Sequence, residues 1–261
     1  MGAVETMRNL VVTMCVGLVL AGATRDAAAQ EPWTDRGYVN IGTGVEQGDT
    51  VFSDTRSSRI YDEDAKITTN SNWSSGNFVD VGLGIRVWRN LSVGGAFHQE
   101  VNTSEVAISG SIPHPIFFNR SRSLASKANG LQRKESAAHL VIGWMIPVGT
   151  KFDVLVSGGP SFFRLNQDVV SDVIIAERGA PFTELVVETK TATRKQSKTG
   201  YNVGADATYV FWSNDSIRLG AGGFVRFTTA KADVRWFDST AAALPTDMGG
   251  IQYGFGGRLR F

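Results

Sequence analysis

Few folds can accept the segment Gly249–Phe261, GGIQYGFGGRLRF. In an extended chain successive side chains point to opposite faces. Ile251, Tyr253, Phe255, Leu259 and Phe261 therefore share one face, and Gln252, Gly254, Gly256, Arg258 and Arg260 share the other. A strand buried in a soluble core seldom carries two arginines beside an exposed phenylalanine. A strand with hydrocarbon on one side and a hydrated lumen on the other requires this pattern. Phe78 to Val87 repeats it, with Val79, Val81, Leu83, Ile85 and Val87 opposite Asp80, Gly82, Gly84 and Arg86. So do 201–211 and 217–226, where Tyr201, Val203, Tyr209 and Phe211, then Ile217, Leu219 and Val225, form the apolar faces. An arginine facing lipid at mid-bilayer costs ~2–4 kcal/mol, which directs the apolar faces outward.

Read for alternation, the chain gives about eight strands joined by short and long connections in turn. Trp88-Arg89-Asn90, Pro147-Val148-Gly149-Thr150 and Trp212-Ser213-Asn214-Asp215 are the short ones, expected as periplasmic turns. Polar stretches around 47–76, 107–134, 168–198 and 238–248 are expected as four outer loops. Within the third, Val169 to Ile175 and Glu184 to Thr193 look extended, so a hairpin could project beyond the membrane. Gly158-Gly159-Pro160 suggests a bulge in the fifth strand. Tyr38, Trp88, Trp144, Trp212, Trp236 and Phe261 are expected at interfacial girdles. The fold class is all-β, a transmembrane antiparallel up-and-down β-barrel of about eight strands after a cleaved signal peptide.

The leader reads from Arg8 through the apolar run Leu10 to Gly22 to the small residues Ala27-Ala28-Ala29. Three units follow: a signal peptide over 1–29, a short periplasmic segment over 30–36, and the barrel over 37–261. The apolar run is shorter than the ~20 residues of a transmembrane helix. Cys15, the only cysteine, falls inside the leader, so the mature chain has no thiol, disulfide or cysteine metal site. With 26 basic and 25 acidic residues, no global field points to nucleic acid.

Gly256, Leu259 and Phe261 resemble the terminal assembly signal of bacterial outer-membrane proteins, although position 254 holds glycine where a polar residue is usual. Leader, alternation, turn rhythm and final phenylalanine together resemble the small outer-membrane barrel families that include the OmpA barrel, OmpX, OmpW and the opacity-type adhesins. The resemblance implies residence in the outer membrane of a Gram-negative cell envelope, contact with outer-membrane lipid and lipopolysaccharide, and insertion by the barrel-assembly machinery. It is specific to architecture and says little about activity, because such barrels share a frame and differ in loops and lumens.

The expected lumen charges are Asp80, Arg86, Glu100, Asp206, Arg218, Arg226, Arg258 and Arg260. An eight-stranded ring is just wide enough for side chains to fill it, and charges inside must pair or stay hydrated. They form either a rigid ion-pair network or a gated path for small solutes, and the strand number favours the network. In the second loop Ile116, Phe117 and Phe118 are apolar for a water-facing segment and are candidates for meeting an extracellular ligand. Folding over the barrel mouth to pack on other loops is the favoured expectation, because prolines and aromatics often stabilise long ordered loops. The basic run Arg194 to Lys198 suits lipopolysaccharide phosphates or a solvated strand extension. His98, His114 and His139 are the only histidines and show no metal-ligand spacing. His98 with Ser92, or His139 with Ser136, would be the pairs for a lipid A modifying enzyme, but neither carries a local histidine-serine motif. No catalytic residue, cofactor or metal is expected. The function expected is a structural or surface-interaction barrel, with a narrow pore or an OmpW-like transporter as the alternative and a lipid A modifying enzyme as the second.

Overall fold

The computed structural model describes residues 33–48, 50–74, 76–235 and 243–261. The expected leader, its cleavage before Gln30, Cys15 and Trp236 lie outside the described residues. Eleven strands are present: β1 (Gly37–Gln47), β2 (Thr50–Ile60), β3 (Glu63–Trp73), β4 (Gly76–Trp88), β5 (Leu91–Pro113), β6 (Ser121–Val148), β7 (Phe152–Glu177), β8 (Leu185–Ser213), β9 (Arg218–Val234), β10 (Leu244–Met248) and β11 (Ile251–Arg260). Eight of them, β1, β4, β5, β6, β7, β8, β9 and β11, close into a ring of antiparallel neighbours. Closure is made by β11, which pairs with β1 through Tyr38↔Arg260 and with β9 through Arg260↔Arg218. A closed ring leaves no strand edge unpaired, the condition for a sheet to stand in lipid.

All three short turns lie at one end of the ring. In the second, Gly149 takes φ 69°, a left-handed conformation that glycine adopts without steric cost. In the third, Asn214 Oδ1 accepts from the amides of Ser216 (2.9 Å) and Ile217 (2.7 Å). Small inward residues make room in the narrow interior. A Cβ on Gly254 would lie 2.4 Å from the Phe224 ring.

At the other end the strands run far past the ring. β8 alone has 29 residues, about 95 Å of extended chain, whereas a crossing needs ~9–11 residues. Here the ring opens into a second body, the head. The β6–β7 ladder stops at Arg133↔Gln167 and the β8–β9 ladder at Tyr201↔Thr229. Beyond those points β2, β3, β5 and β6 form one sheet, and β7–β8 and β9–β10 form two hairpins against it. Between them lies an apolar core containing Phe52, Ile67, Trp73, Val106, Ile108, Leu124, Phe163, Val169, Ala232 and Met248.

Polarity therefore inverts along single strands. In the lower half of β5, Val93, Phe97 and Val101 face outward while Ser92 and His98 are buried. In its upper half Val106, Ile108 and Ile112 are buried and Glu105, Ala107 and Ser109 face water. Even-numbered residues point inward throughout. What changes is which solvent the outer face meets.

Three expectations are corrected. Among the described residues the four polar stretches are mainly strand, with tips at 114–120 and 178–184. Their low apolar content reflects a sheet with one face in water, which places apolar residues only at alternate positions. Gly158-Gly159-Pro160 makes no bulge: β6–β7 pairing lapses between His139↔Ser161 and Ile142↔Gly158 but resumes in the same register. Tyr38 is buried in the lumen beneath the Arg260 guanidinium, 5.1 Å from its ring, instead of joining a girdle. Trp88, Trp144, Trp212 and Phe261 do face outward, and the 169–193 region does project as a hairpin.

Candidate functional site

The inward faces of the ring strands bring the predicted charges together, and most of them find a partner across the bore. At the short-turn mouth the segment before β1 folds into the lumen. Trp33 is 1% exposed; its amide donates to Asn90 Oδ1 (3.0 Å), and Arg86 donates to its carbonyl. Arg218 bridges Asp35 (2.9 Å) and Asp153 (3.5 Å). The next layer holds Arg260, donating to Asn40 (2.9 Å) and Thr208 (2.9 Å). Arg258 grips Asp206 through Nη2 (2.5 Å) and Nε (3.0 Å). Above it Arg226 pairs with Asp80 at 2.8 Å while stacking over Phe224. A cavity of about 50 Å³ remains between Asp80, Asn202, Asp206 and Arg226, enough for a few hydrogen-bonded waters.

Next comes a chain of hydrogen-bonded polar groups. His98 stacks on His139, their rings 12° from parallel and joined by an Nδ1···Nε2 contact of 2.9 Å. His139 reaches Ser161 Oγ at 2.7 Å, and Asn202 donates to the same oxygen at 2.9 Å. On the other side Gln252 lies 3.3 Å from His98 and donates to Glu46 at 2.6 Å. A last polar layer divides lumen from head. Glu46, Glu100 and Glu135 surround a cavity of about 20 Å³ with Arg133 and Trp73. Arg133 pairs with Glu135 at 3.0 Å, and the Gly249 amide donates to the other oxygen of Glu135 at 2.7 Å.

Thus Asp80, Arg86, Asp206, Arg218, Arg226, Arg258 and Arg260 belong to one stacked network, and Glu100 caps it from the dividing layer. Sequence reasoning missed Asp35, Asp153, Glu46, Glu135, Asn202 and Gln252, which complete it. Asp35 lies ahead of the first strand and has no parity to read; the others alternate inward on their strands, but only the folded ring shows which of them meet. The two histidines, 41 positions apart in sequence, are neighbours because Ala96↔His139 and His98↔Ala137 place them on adjacent strands. No group of three metal-ligating side chains occurs among the described residues. Ser92, His98, His139 and Ser161 are all buried in the lumen and none reaches the outer face.

The ring exterior is apolar. The stretch from Phe152 to Phe162 rises about 26 Å along the axis at ~3.4 Å per residue and ~40° tilt, the height of a bilayer's hydrocarbon core. Val79, Leu83, Phe97, Ile142, Phe211 and Phe255 cover it. The ring is a transmembrane β-barrel.

No family model matches the sequence, and no curated protein matches it. Among solved structures the chain is similar to Neisserial surface protein A (NspA), at 12% identity over 86% of this chain and 97% of that one, with a TM-score of 0.38. It is also similar to the outer membrane protein OprG from Pseudomonas aeruginosa, at 10% identity over 89% of this chain and 98% of that one, with a TM-score of 0.45.

At the far end of the head, Ile116 (65% exposed), Phe117 (51%) and Phe118 (74%) stand out in water. They do not fold over the head: only Ile112 and Pro113 at the base of the loop are buried. Nearby, Arg122 donates to both oxygens of Glu177 (2.6 Å each), tying the four-stranded sheet to the β7–β8 hairpin. That hydrogen bonding holds the Glu177 carboxyl below its usual range.

Proposed function

We propose that the chain is an integral outer-membrane protein of a Gram-negative envelope: a closed, non-enzymatic barrel that carries a rigid β head outside the cell and acts through contacts made by that head. The observation that carries this reading is the inversion of polarity within single strands, with a filled lumen below and an apolar core above. A conduit for ions would need continuous water, but paired side chains from Trp33 up to Arg133 occupy the bore. A path for small apolar molecules would need space among the apolar residues, and Trp73, Phe163 and their neighbours pack that region. An enzyme acting on lipid A would need its serine and histidine together at the lipid face, whereas His98 and His139 both point into the lumen, on the opposite face from Ser136. The exposed Ile116, Phe117 and Phe118 supply a contact surface. Gly256, Leu259 and Phe261, in the closing strand and just beyond it, serve as the signal for the barrel-assembly machinery.

The test is single-channel conductance of the folded protein in a planar bilayer, with an Arg226→Ala variant beside it. Silence from both, with insertion confirmed, supports the closed scaffold. Steady conductance altered by the substitution replaces it with the pore.

A further inference from the structure

Just beyond the lipid belt the outer rim is chemically lopsided. On β1, β4 and β5 the first outward residues past the apolar band are Gln47, Asn77 and Thr103, all neutral. Across the ring, Arg164 is the first on β7, while on β6 Lys134 follows Ser136 and on β8 Lys195 follows Thr199 and Ser197; all three cations are exposed. These three sit on one continuous patch of sheet. Register places Ser136, Arg164 and Ser197 in one row, and Lys134, Asn166 and Lys195 in the next row outward. With strands ~4.8 Å apart and same-face rows ~6.8 Å apart, the three Cα atoms form a triangle with sides of about 8–10 Å. Long cationic side chains on such a triangle can converge on one anion. Directly below lie Phe162 and Tyr201, both about half exposed, which mark the edge of the apolar band.

None of the three cations has an ion pair or side-chain hydrogen bond among the described residues. Several other surface cations do have an acid beside them: Lys127 pairs with Glu105 at 2.7 Å, Arg178 with Glu184 at 2.9 Å, and Lys231 stands opposite Asp247. The nearest acid is Asp168, one row further out. Its carboxylate is occupied by the Thr193 hydroxyl (2.6 Å) and the Gln132 amide (3.1 Å). Arg164 stands one residue row above Phe162, and Lys134 and Lys195 one row further out; just outside a hydrocarbon boundary a lipid carries its headgroup phosphate, and arginine and lysine are the side chains that bind phosphate there.

We propose that Lys134, Arg164 and Lys195 form a binding site for the phosphate of an outer-leaflet lipid headgroup, holding one phosphorylated lipid against the β6–β8 side of the barrel. The inference rests on the membrane placement of the belt. The site uses a rigid three-strand sheet, so it is preformed and its selectivity is for phosphate at a fixed depth.

The test compares wild type with a Lys134→Gln/Arg164→Gln/Lys195→Gln variant, and with Lys151→Gln at the opposite end of the barrel as a charge control. Retention of diphosphoryl lipid A is measured by native mass spectrometry from neutral detergent, with fully dephosphorylated lipid A and inorganic phosphate as separate probes. Flotation with phosphatidylcholine vesicles checks insertion of each protein. At least tenfold weaker retention by the triple variant is expected, with Lys151→Gln unchanged. Dephosphorylated lipid A should bind wild type no better than the phosphorylated lipid binds the variant, and millimolar inorganic phosphate should not displace the lipid. Equal retention by wild type and triple variant, both inserted, overturns the site and leaves the membrane reading standing. Displacement by free phosphate overturns the lipid assignment. Failure of the wild type to float overturns the placement on which the site depends.

Discussion

The inversion along β5 makes three arginine substitutions on one strand behave in three different ways. Phe97 lies near the middle of the belt with its ring toward lipid and 48% exposed. Replacing it with arginine puts a guanidinium in hydrocarbon at a cost of about 2–4 kcal/mol. At 1.36 kcal/mol per factor of ten, a cost of about 3 kcal/mol lowers the folding equilibrium constant roughly two hundredfold. Ten residues on, Ala107 also faces outward, but into water; Ala107→Arg should stay within about 0.5 kcal/mol of wild type. Ile108, next to it and 2% exposed, points into the head core. An arginine there is an unpaired charge in an apolar interior and should unfold the head, so the milder Ile108→Ala is the useful probe, at about 2–5 kcal/mol. Urea unfolding in phosphatidylcholine vesicles, followed by tryptophan fluorescence, reads all three. Equal costs for Phe97→Arg and Ala107→Arg would refute the boundary between them. A neutral Phe97→Arg would refute the lipid-facing belt itself.

Other expectations follow from the network and the head. Arg226→Ala leaves Asp80 buried without its partner and should destabilise the barrel by about 3–5 kcal/mol; adding Asp80→Ala should recover much of this in the same unfolding assay. Trp33→Ala removes a fully buried ring from the short-turn mouth and should cost about 3–5 kcal/mol, with faster hydrogen exchange at Arg36 and Gly37, whose amides bond the Phe261 carbonyl. Glu177 has a folded pKa held below the usual 4.5 of a glutamate by its hydrogen bonds to Arg122. Its contribution is therefore present above about 4.5 and is lost as pH falls through the lower folded value. Protease cleavage at the 178–184 tip should rise on acidification below that window, and Glu177→Gln should show the raised cleavage at neutral pH.

The ring was legible because two solvents act on its strands at once. Outward Val79 to Val87 and inward Asp80 to Arg86 alternate without exception, and no soluble environment rewards that order. The head was illegible for the complementary reason. Residues such as Thr68, Asn70, Ser109 and Ser111 lie on faces in water and look like loop residues, while the inward Val106, Ile108 and Ile112 that reveal the strand are few. The lumen charges could be placed by parity, yet the pairs could not. Arg226 meets Asp80 rather than Asp206 because of how strands three steps apart around the ring face each other across the bore, a relation that depends on shear and not on any local pattern. Tyr38 shows the limit of reading aromatics by position, since its place near a strand end suited a girdle and only its inward parity told otherwise.

The change of polarity at the top of the belt also acts as a depth gauge. If the barrel rode one residue row deeper, Arg164 would enter hydrocarbon; one row higher, Phe162, Tyr201 and Val101 would stand in water. Displacement in either direction is opposed by unlike forces, dehydration of charge on one side and hydration of apolar surface on the other. The molecule therefore sets its own height without an anchor elsewhere, and its farthest tip, with Phe117 and Phe118, is presented at a fixed distance above the lipid.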